Sequence, residues 1–294
     1  IYTAGRYEFT NKGFDLFIDV LAKLDEKMRA SNTRRWAIAF ILVPTGTLGV
    51  KDEVIQNFIL YRHMKEVLKE EVENFVARVY EKGEEEIRKG FEEIMLEIKR
   101  FMKRFASRRG RNPPICAFEL SYNEDDDPII RRLREKGLNN SEDSRVKVVF
   151  YPVYLNRQDE LLGMTYKEFI DAASIGVFLS RYEPWGYTPL EAAAYLSASI
   201  TTDRSGFGRA VLRTRGVKGI YVVNSENAVE EAAEILFKFV TMSKDERMRI
   251  EMEAHKSVRK FFTWRKMIRR YVKAYELAIK RFFRKVAQPP EEAA

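Results

Sequence analysis

Short, almost continuous apolar runs recur along this 294-residue chain, and amphipathic helical patterns separate them. Residues 36–43 and 175–180 are the clearest of these runs. A strand that is apolar along its whole length has both faces covered, as the strands of a parallel sheet do. Residues 12–28 instead place their large apolar side chains on one helical face. The alternation predicts an α/β fold with a Rossmann-like, doubly wound parallel sheet of about six strands.

The same patterns predict the order of the elements. We predict strands at residues 1–4, 36–43, 115–120, 145–150, 175–180, 199–202 and 219–223. We predict helices at residues 12–28, 166–173, 188–196, 229–240, 244–262 and 264–283. Thr10 or Asn11 is expected to cap the first of these helices, Thr165 the second and Ser243 the fifth.

Residues 52–106 break the alternation. Apolar residues recur there at steps of three, four and seven, and Lys82-Gly83 interrupts the pattern. We predict two long amphipathic helices folded into a hairpin that is inserted in the α/β domain. Such a hairpin has more apolar surface than it can cover alone, so it packs on its parent domain or on a second copy of the chain. We favour the second arrangement, a homo-oligomer.

Composition narrows the class of protein. The hydrophobic content of 45% excludes a disordered chain. No apolar stretch approaches the roughly 20 residues of a membrane helix, and no signal peptide is recognisable, so we expect a cytoplasmic protein without a membrane partner. The single cysteine, Cys116, lies in an apolar run and is expected to be a core thiol. The two histidines make a zinc site or a histidine-dependent triad unexpected.

Two charged clusters have structural interpretations. The triplet Asp125-Asp126-Asp127 resembles a metal-binding motif of some sugar transferases, but Pro128 and an apolar helical pattern follow it. We therefore interpret Asp127 as the N-cap of a helix. The arginines of residues 107–114 form a basic turn that closes the hairpin. An anion site and a solvated loop are both open there, and we favour the loop.

The stretch Arg181-Tyr182-Glu183-Pro184-Trp185-Gly186-Tyr187-Thr188-Pro189-Leu190-Glu191 joins an apolar strand to a helix. Pro189 suits the first turn, so the helix is expected to begin there or one residue earlier. The free N–H groups of that turn then face the space above the strand, which suits a phosphate. Glu183 and Glu191 flank this place. A structural interpretation has equal weight on spacing alone, with two ordinary carboxylates and Trp185 as a packing residue.

Arg6 and Lys12 form a second candidate group. They lie on the loop after the first predicted strand, with Lys12 at the start of the next helix. Four loops are expected at the carboxyl edge of the sheet: residues 6–12, the region of Tyr166, residues 183–191 and residues 205–208. Ligand sites of open α/β sheets lie at this edge, and the two cations suit an anionic ligand.

Three motifs resemble a known family, the glycogen synthases of animals and fungi. They are Gly5-Arg6-Tyr7-Glu8-Phe9-Thr10-Asn11-Lys12-Gly13, Tyr182-Glu183-Pro184-Trp185-Gly186-Tyr187-Thr188-Pro189 and Ser205-Gly206-Phe207-Gly208. The similarity extends from Gly5 to about Tyr271 and includes the helical insertion. The first two motifs separate this family from the bacterial starch-type synthases.

The resemblance implies a retaining glycosyltransferase of the two-domain GT-B type, which extends an α-1,4-glucan from UDP-glucose. The chain is similar only to the carboxyl-terminal, nucleotide-sugar-binding half, so the amino-terminal domain is an expected partner. Residues 1–51 and 107–262 are then the nucleotide-sugar-binding domain, and residues 52–106 the hairpin. Residues 263–287 are expected to be a crossover helix and residues 288–294 a disordered tail. Half a cleft is expected to bind the donor without turnover.

The resemblance also implies how the donor phosphates are held. The positions of Arg6 and Lys12 contact the UDP phosphates, and the turn of Trp185, Gly186, Tyr187 and Thr188 offers backbone amides to them. Two cations and helix-terminal amides can stabilise the UDP leaving group, so no metal or other cofactor is implied.

Three further positions have implied roles. Tyr166 stacks on the uracil ring, Glu183 contacts hydroxyls of the transferred glucose, and Glu191 binds the ribose. Glu183 is expected to orient the sugar and not to act as a nucleophile. UDP and ADP remain open as donor nucleotides, and the acceptor is a glucan.

Two other functions stay open. The chain could be a non-catalytic module that binds a nucleotide sugar or self-associates. Residues 256–285 contain twelve lysines or arginines and one glutamate, which raises nucleic-acid binding as a third hypothesis. We favour a crossover helix for this segment, so nucleic acid is not an expected partner.

Overall fold

The computed structural model describes residues 1–31, 33–107, 112–159 and 161–286. Its strands are β1 (Tyr2–Ala4), β2 (Ala37–Leu42), β3 (Thr47–Val50), β4 (Phe118–Leu120), β5 (Val146–Tyr151), β6 (Ile175–Phe178), β7 (Ala198–Thr202) and β8 (Ile220–Val223). Its helices are α1 (Phe14–Ala30), α2 (Asp52–Lys82), α3 (Glu85–Ser107), α4 (Pro128–Glu135), α5 (Tyr166–Ala172), α6 (Tyr187–Ala194), α7 (Gly206–Leu212), α8 (Ala228–Thr241), α9 (Lys244–Phe261) and α10 (Trp264–Val286). Residues 108–111, the core of the basic turn, and the tail from 287 onward lie outside the described residues.

Six strands form one parallel sheet in the order β5-β2-β1-β6-β7-β8. The chain builds one half outward from β1 and then returns to β6, which pairs with the other side of β1. The strand order therefore reverses between these two neighbours. In sheets of this kind the ligand crevice lies at the carboxyl ends of the strands where the order reverses. The predicted Rossmann-like, doubly wound sheet is confirmed.

The helices cover the sheet in two groups. Helix α1 packs against α4 and α8, while α6 packs against α7 and α9. The apolar face predicted for α1 is fully buried: Phe14, Phe17, Ile18, Leu21 and Leu24. Most residues of the sheet strands are buried, as the continuous apolar runs predict, but Trp36 and Ile38 at the beginning of the β2 run are 59% and 53% exposed.

Residues 115–120 differ from the prediction. Strand β4 does not join the main sheet but pairs antiparallel with β3, which the sequence pattern does not predict. Strand β3 escapes prediction because it is short, contains Gly49 and exposes Leu48. Cys116 forms an isolated bridge to Phe150 in β5. It is a buried free thiol whose pKa burial raises to about 12, as expected for a core cysteine.

Helices α2 and α3 form the predicted hairpin, with the turn at Gly83. A Cβ atom on Gly90 would lie 2.1 Å from the Phe75 ring, so this glycine lets the two helices approach closely. No helix in the described part of the chain is long and apolar enough to cross a membrane.

The helix caps are partly as predicted. Thr165 and Ser243 each form a capping box, at α5 and α9. Asp127 accepts hydrogen bonds from the first turn of α4, as predicted. The prediction for α1 is wrong: Gly13, with φ of 70°, occupies the N-cap position in place of Thr10 or Asn11. Lys12 therefore precedes the helix.

Gly13 has a specific packing reason. A Cβ atom at this position would lie 2.0 Å from the Leu179 carbonyl oxygen, at the end of β6. Only a residue without a side chain allows α1 to begin directly against that strand, and the positive φ adds a second demand for glycine. The junction brings the loop after β1 beside the loop after β6.

We predict that Gly13→Ala lowers the free energy of unfolding by about 3 kcal/mol, because backbone strain and overlap with Leu179 add. Gly137→Ala is the matched control, since Gly137 has φ of 71° but nothing within 4 Å of its Cβ position. Strain alone there should cost about 1 kcal/mol. Chemical denaturation measures both, and equal losses would show that the contact with Leu179 carries no weight.

Candidate functional site

Three adjacent strands supply the loops of the candidate site. Strands β1, β6 and β7 are neighbours, so the loops at their carboxyl ends lie side by side. The Glu183 carbonyl accepts a hydrogen bond from Gly206 N at 3.0 Å, and Glu183 also forms a parallel bridge with Ser205. The Arg181 amide donates to the Asn11 carbonyl at 2.9 Å. These backbone bonds make the three loops one connected surface.

Lys12 and Glu183 meet at the centre of this surface. Lys12 Nζ lies 2.5 Å from Glu183 Oε2, and the two side chains are 17% and 23% exposed. The pair joins residues that are 171 positions apart, across the reversal between β1 and β6. A lysine held here at low exposure can bind an anion strongly, because water screens its charge less than at the open surface.

The start of α6 lies next to this pair. Gly186, with φ of 100°, is the N-cap, and no side chain caps the helix. The helix begins at Tyr187, one residue before the earliest predicted start at Thr188. A Cβ atom on Gly186 would be 3.5 Å from Glu183 Cγ, which places the helix start beside that side chain. The N–H groups of Tyr187 and Thr188 belong to the first turn, where an anion can accept from them.

The Ser205-Gly206-Phe207-Gly208 motif packs against the Glu183 loop. A Cβ atom on Gly206 would lie 2.1 Å from the Pro184 carbonyl oxygen, so this glycine lets α7 start directly against the Glu183 loop. The Trp185 ring packs edge-on against Phe207, at 5.9 Å between centroids. The indole of Trp185 is thus a packing group, as the structural interpretation expects. Its proposed backbone amide contact stays a prediction.

Arg181 is a site residue that the sequence analysis missed. Its guanidinium forms two parallel hydrogen bonds with the Asp15 carboxylate, at 2.8 and 2.7 Å, and also donates to the Thr10 carbonyl. It therefore ties the Lys12 loop and the beginning of α1 to the Glu183 loop. The partner lies 166 residues away, so no local pattern marks this role.

Arg6 stands apart from Lys12 and Glu183. Its side chain is 80% exposed and pairs with Glu8 on the same loop, at 2.9 Å. The structure therefore places Arg6 on the same loop as Lys12 but does not bring its guanidinium into contact with the pair. A long, exposed side chain can reorient towards a ligand above the sheet edge.

Tyr166 and Glu191 form a second group. The Tyr166 hydroxyl is buried and has no hydrogen-bond partner in the described part of the chain. Burial raises its pKa, and the nearby Glu191 carboxylate raises it further. Burial also raises the pKa of Glu191, against a smaller opposing effect of Lys167. A hydroxyl without a partner and a poorly solvated carboxylate both gain from a ligand that carries hydroxyl groups.

Two residues of the acidic triplet have structural partners. Asp127 caps α4, and Asp125 pairs with Arg134. Within the described residues no group of three or more histidine, cysteine or acidic side chains could hold a metal ion. The N-cap interpretation of Asp127 is confirmed.

Comparison with known proteins identifies the family. The family model for glycogen synthase matches residues 1–293. The chain belongs to the glycogen synthase family. It is 30% identical to the glycogen (starch) synthase of Neurospora crassa over 301 residues, which cover 96% of the chain and 42% of that protein. It is 33% identical to the glycogen (starch) synthase of Caenorhabditis elegans, over 84% of the chain and 39% of that protein.

The chain spans about two fifths of the length of these glycogen synthases. A solved structure of a UDP-forming α,α-trehalose-phosphate synthase from Burkholderia vietnamiensis is also similar, with a TM-score of 0.48 and 11% identity. That match covers 94% of the chain and 44% of the solved one. It is too distant to inform the site, which rests on the geometry above.

We predict that Glu191→Gln stabilises the protein at about pH 7. Because burial raises the pKa of Glu191, the folded chain binds the proton more tightly than the unfolded chain, and the ionised carboxylate lowers stability. The gain should shrink as the pH falls through the raised pKa and vanish below the ordinary value of about 4.3. Melting temperatures across this range measure it.

Glu246→Gln is the control with the opposite sign. Hydrogen bonds from the Ser243 hydroxyl and amide lower the pKa of Glu246, so its ionised form stabilises the fold. This variant should lose stability at about pH 7, and the loss should fade in acid. A Glu191 variant that follows the same pattern would contradict the desolvation of Glu191.

Proposed function

We propose that this chain is the donor-binding part of a retaining glucosyltransferase of the glycogen synthase type, which uses UDP-glucose to extend an α-1,4-glucan. The observation that carries the proposal is the Lys12–Glu183 pair beside the uncapped start of α6. A cation, free helix-terminal amides and a carboxylate lie together where the strand order reverses. The names of the relatives support the same reaction.

The proposed chemistry needs a stabilised leaving group. When the bond to the glucosyl carbon breaks, the diphosphate gains negative charge. That charge would be stabilised by Lys12, by the amides of Tyr187 and Thr188, and by a reoriented Arg6. Fixed donors aimed at developing charge are usually the largest single contribution to catalysis, about 10²- to 10³-fold for each. This arrangement requires no metal ion.

Glu183 has a second part in this proposal. Without a ligand it neutralises Lys12, so a diphosphate must compete with it for the ammonium group. When the diphosphate takes Lys12, the freed carboxylate can accept hydrogen bonds from hydroxyls of the transferred glucose. The pair thus couples phosphate binding to sugar orientation, and Glu183 orients the sugar without forming a covalent bond.

Tyr166 and Glu191 are proposed to bind the nucleoside. The ring of Tyr166 would stack on the uracil, and Glu191 would accept from the ribose hydroxyls. The unpartnered hydroxyl of Tyr166 and the raised pKa of Glu191 support a polar ligand at this place. Such a ligand relieves the desolvation that both groups carry in its absence.

The remaining parts of the reaction belong to partners. We propose that an amino-terminal domain completes the cleft and presents the glucan, since the relatives are more than twice as long as this chain. From Tyr271 onward, every residue of α10 with a described exposure is exposed, which suits a helix that packs on another domain. A cytoplasmic location is proposed as well, supported by a free cysteine in the core.

The donor proposal predicts that this chain binds UDP and UDP-glucose, and that Lys12→Ala weakens both by about tenfold or more. The reason is the loss of a charge-assisted hydrogen bond and the unpaired Glu183 left behind. Lys23→Ala is the matched control, because Lys23 also pairs with a glutamate, Glu230, but on α1 away from the site. Calorimetric titration with UDP, ADP and UDP-glucose measures the affinities.

Glu183→Gln separates the two roles of that residue. The variant keeps the size of the side chain and removes the anion that competes for Lys12, so UDP should bind at least as tightly as to the wild type. UDP-glucose should lose any advantage that it has over UDP. Binding of ADP without UDP would overturn the choice of donor, and an unchanged Lys12→Ala affinity would overturn the phosphate role.

We also propose that the hairpin of α2 and α3 makes the chain a homo-oligomer. Val72, Val76 and Tyr80 follow one another at steps of four on α2 and are 45%, 60% and 92% exposed. Ile87 and Phe91 continue an exposed apolar stripe on α3. Apolar residues at this spacing form a face that a second helix pair can cover.

We predict that the wild type has at least twice the monomer mass of 34.5 kDa in light scattering after size exclusion. Val72→Glu with Val76→Glu should yield the monomer, because two charges then lie in the apolar face. Asn74→Glu, which adds a charge at an exposed polar position of the same helix, should leave the mass unchanged. A wild type that is monomeric at every concentration tested would contradict the proposal.

A further inference from the structure

Asp127 is a fully buried carboxylate that accepts four hydrogen bonds. Its Oδ1 accepts from the amides of Ile129 and Ile130, at 2.9 and 3.0 Å, as the N-cap of α4. Its Oδ2 accepts from the hydroxyls of Tyr7 and Tyr122, at 2.6 and 2.7 Å. The capping role leaves the two tyrosines unexplained.

The Asp127 carboxylate is held by hydrogen bonds and not by a salt bridge. Within the described residues no lysine or arginine pairs with it, and the positive end of α4 faces it instead. Burial raises the pKa of Tyr122 to about 12, and burial followed by the bond to Asp127 raises that of Tyr7 further. Both hydroxyls therefore stay protonated at about pH 7 and donate to the carboxylate.

Tyr7 lies on the loop that carries Arg6 and Lys12. The Lys12 end of this loop is tied to the Glu183 loop by Arg181, through the Asn11 carbonyl. At the other end, the Gly5 amide donates to the Leu42 carbonyl of β2 at 3.3 Å, so Gly5 itself is held to the sheet. Beyond Gly5, the bond from the Glu8 amide to the Arg6 carbonyl and the Arg6–Glu8 ion pair both stay within the loop. These two interactions shape the turn but do not connect it to another part of the molecule. The Tyr7 hydroxyl does so, through a partner that is 120 residues away.

We propose that Tyr7 and Asp127 form a positioning pair. It fixes to α4 the Arg6 end of residues 5–13, the loop proposed to bind the donor nucleotide and here called the donor loop. With both ends of the loop anchored, its backbone is already in place when an anion arrives. A preorganised loop binds more tightly, because the ligand does not have to order it. The effect on ligand affinity rests on the donor-binding role proposed above for Arg6 and Lys12, whereas the anchoring of the loop does not.

Tyr122 provides a matched comparison within the same cluster. Its hydroxyl donates to the same Oδ2 atom and also contacts Thr45 Oγ1 at 3.2 Å. Tyr122 follows β4 and has no place on the donor loop. Removing either hydroxyl takes one donor from Asp127, but only the loss at Tyr7 releases the loop.

The test compares Tyr7→Phe with Tyr122→Phe in the 294-residue chain. Hydrogen exchange of residues 5–13 should become about tenfold faster in Tyr7→Phe and stay within about twofold of the wild type in Tyr122→Phe. UDP affinity should fall about five- to tenfold in Tyr7→Phe and remain unchanged in Tyr122→Phe. Melting temperatures of the two variants show whether the general loss of stability is alike.

The outcomes test the positioning pair and the donor site separately. Equal exchange in the two variants overturns the positioning pair, even if Lys12→Ala confirms the donor site. If the wild type binds no UDP, the donor proposal fails, and the exchange data alone still decide whether Tyr7 anchors the loop. If Tyr7→Phe does not fold, Asp127→Asn replaces it. That variant keeps the capping oxygen and weakens both tyrosine bonds, so exchange in residues 5–13 must rise, and an unchanged loop overturns the pair.

Discussion

The close approach of α1 to the end of β6 is the constraint on which the site depends. Gly13 lies so near the Leu179 carbonyl that no side chain fits between them. This contact sets the distance between two loops whose strands lie on either side of the reversal in strand order. Lys12 precedes the contact by one residue and Glu183 follows it by four, so their 2.5 Å pairing is a direct consequence of the packing. The packing of the backbone thus determines where the two charged side chains meet.

The groups at the site are poorly satisfied in the absence of a ligand. The start of α6 lacks a side-chain cap, the Tyr166 hydroxyl has no partner among the described residues, and burial raises the pKa of Glu191. Proteins commonly accept such a loss of stability where activity requires free donors and acceptors.

The features that the sequence predicts depend on local interactions, and the features that it misses depend on contacts between distant segments. Continuous apolar runs predict the parallel strands, and caps such as Thr165 and Asp127 are predictable because they bond within three residues of themselves. The cap of α1, the Arg181–Asp15 pair and the Tyr7–Asp127 bond depend on segments brought together by the whole fold. The sequence identifies the candidate residues through the loops that carry them. It does not predict the contacts between their side chains, because no local pattern encodes those contacts.

The exposed apolar residues of α10 and of the hairpin call for different partners. Residues 256–285, which include most of α10, contain twelve lysines or arginines and one glutamate, so two copies of this segment would repel each other. The hairpin carries both signs of charge, with ion pairs such as Arg78–Glu93 between its helices, and no such repulsion opposes a second copy. The proposed self-association through the hairpin would therefore leave α10 free for a partner of different composition. In the proposed enzyme that partner is the amino-terminal domain, so that oligomer formation and closure of the cleft use separate surfaces.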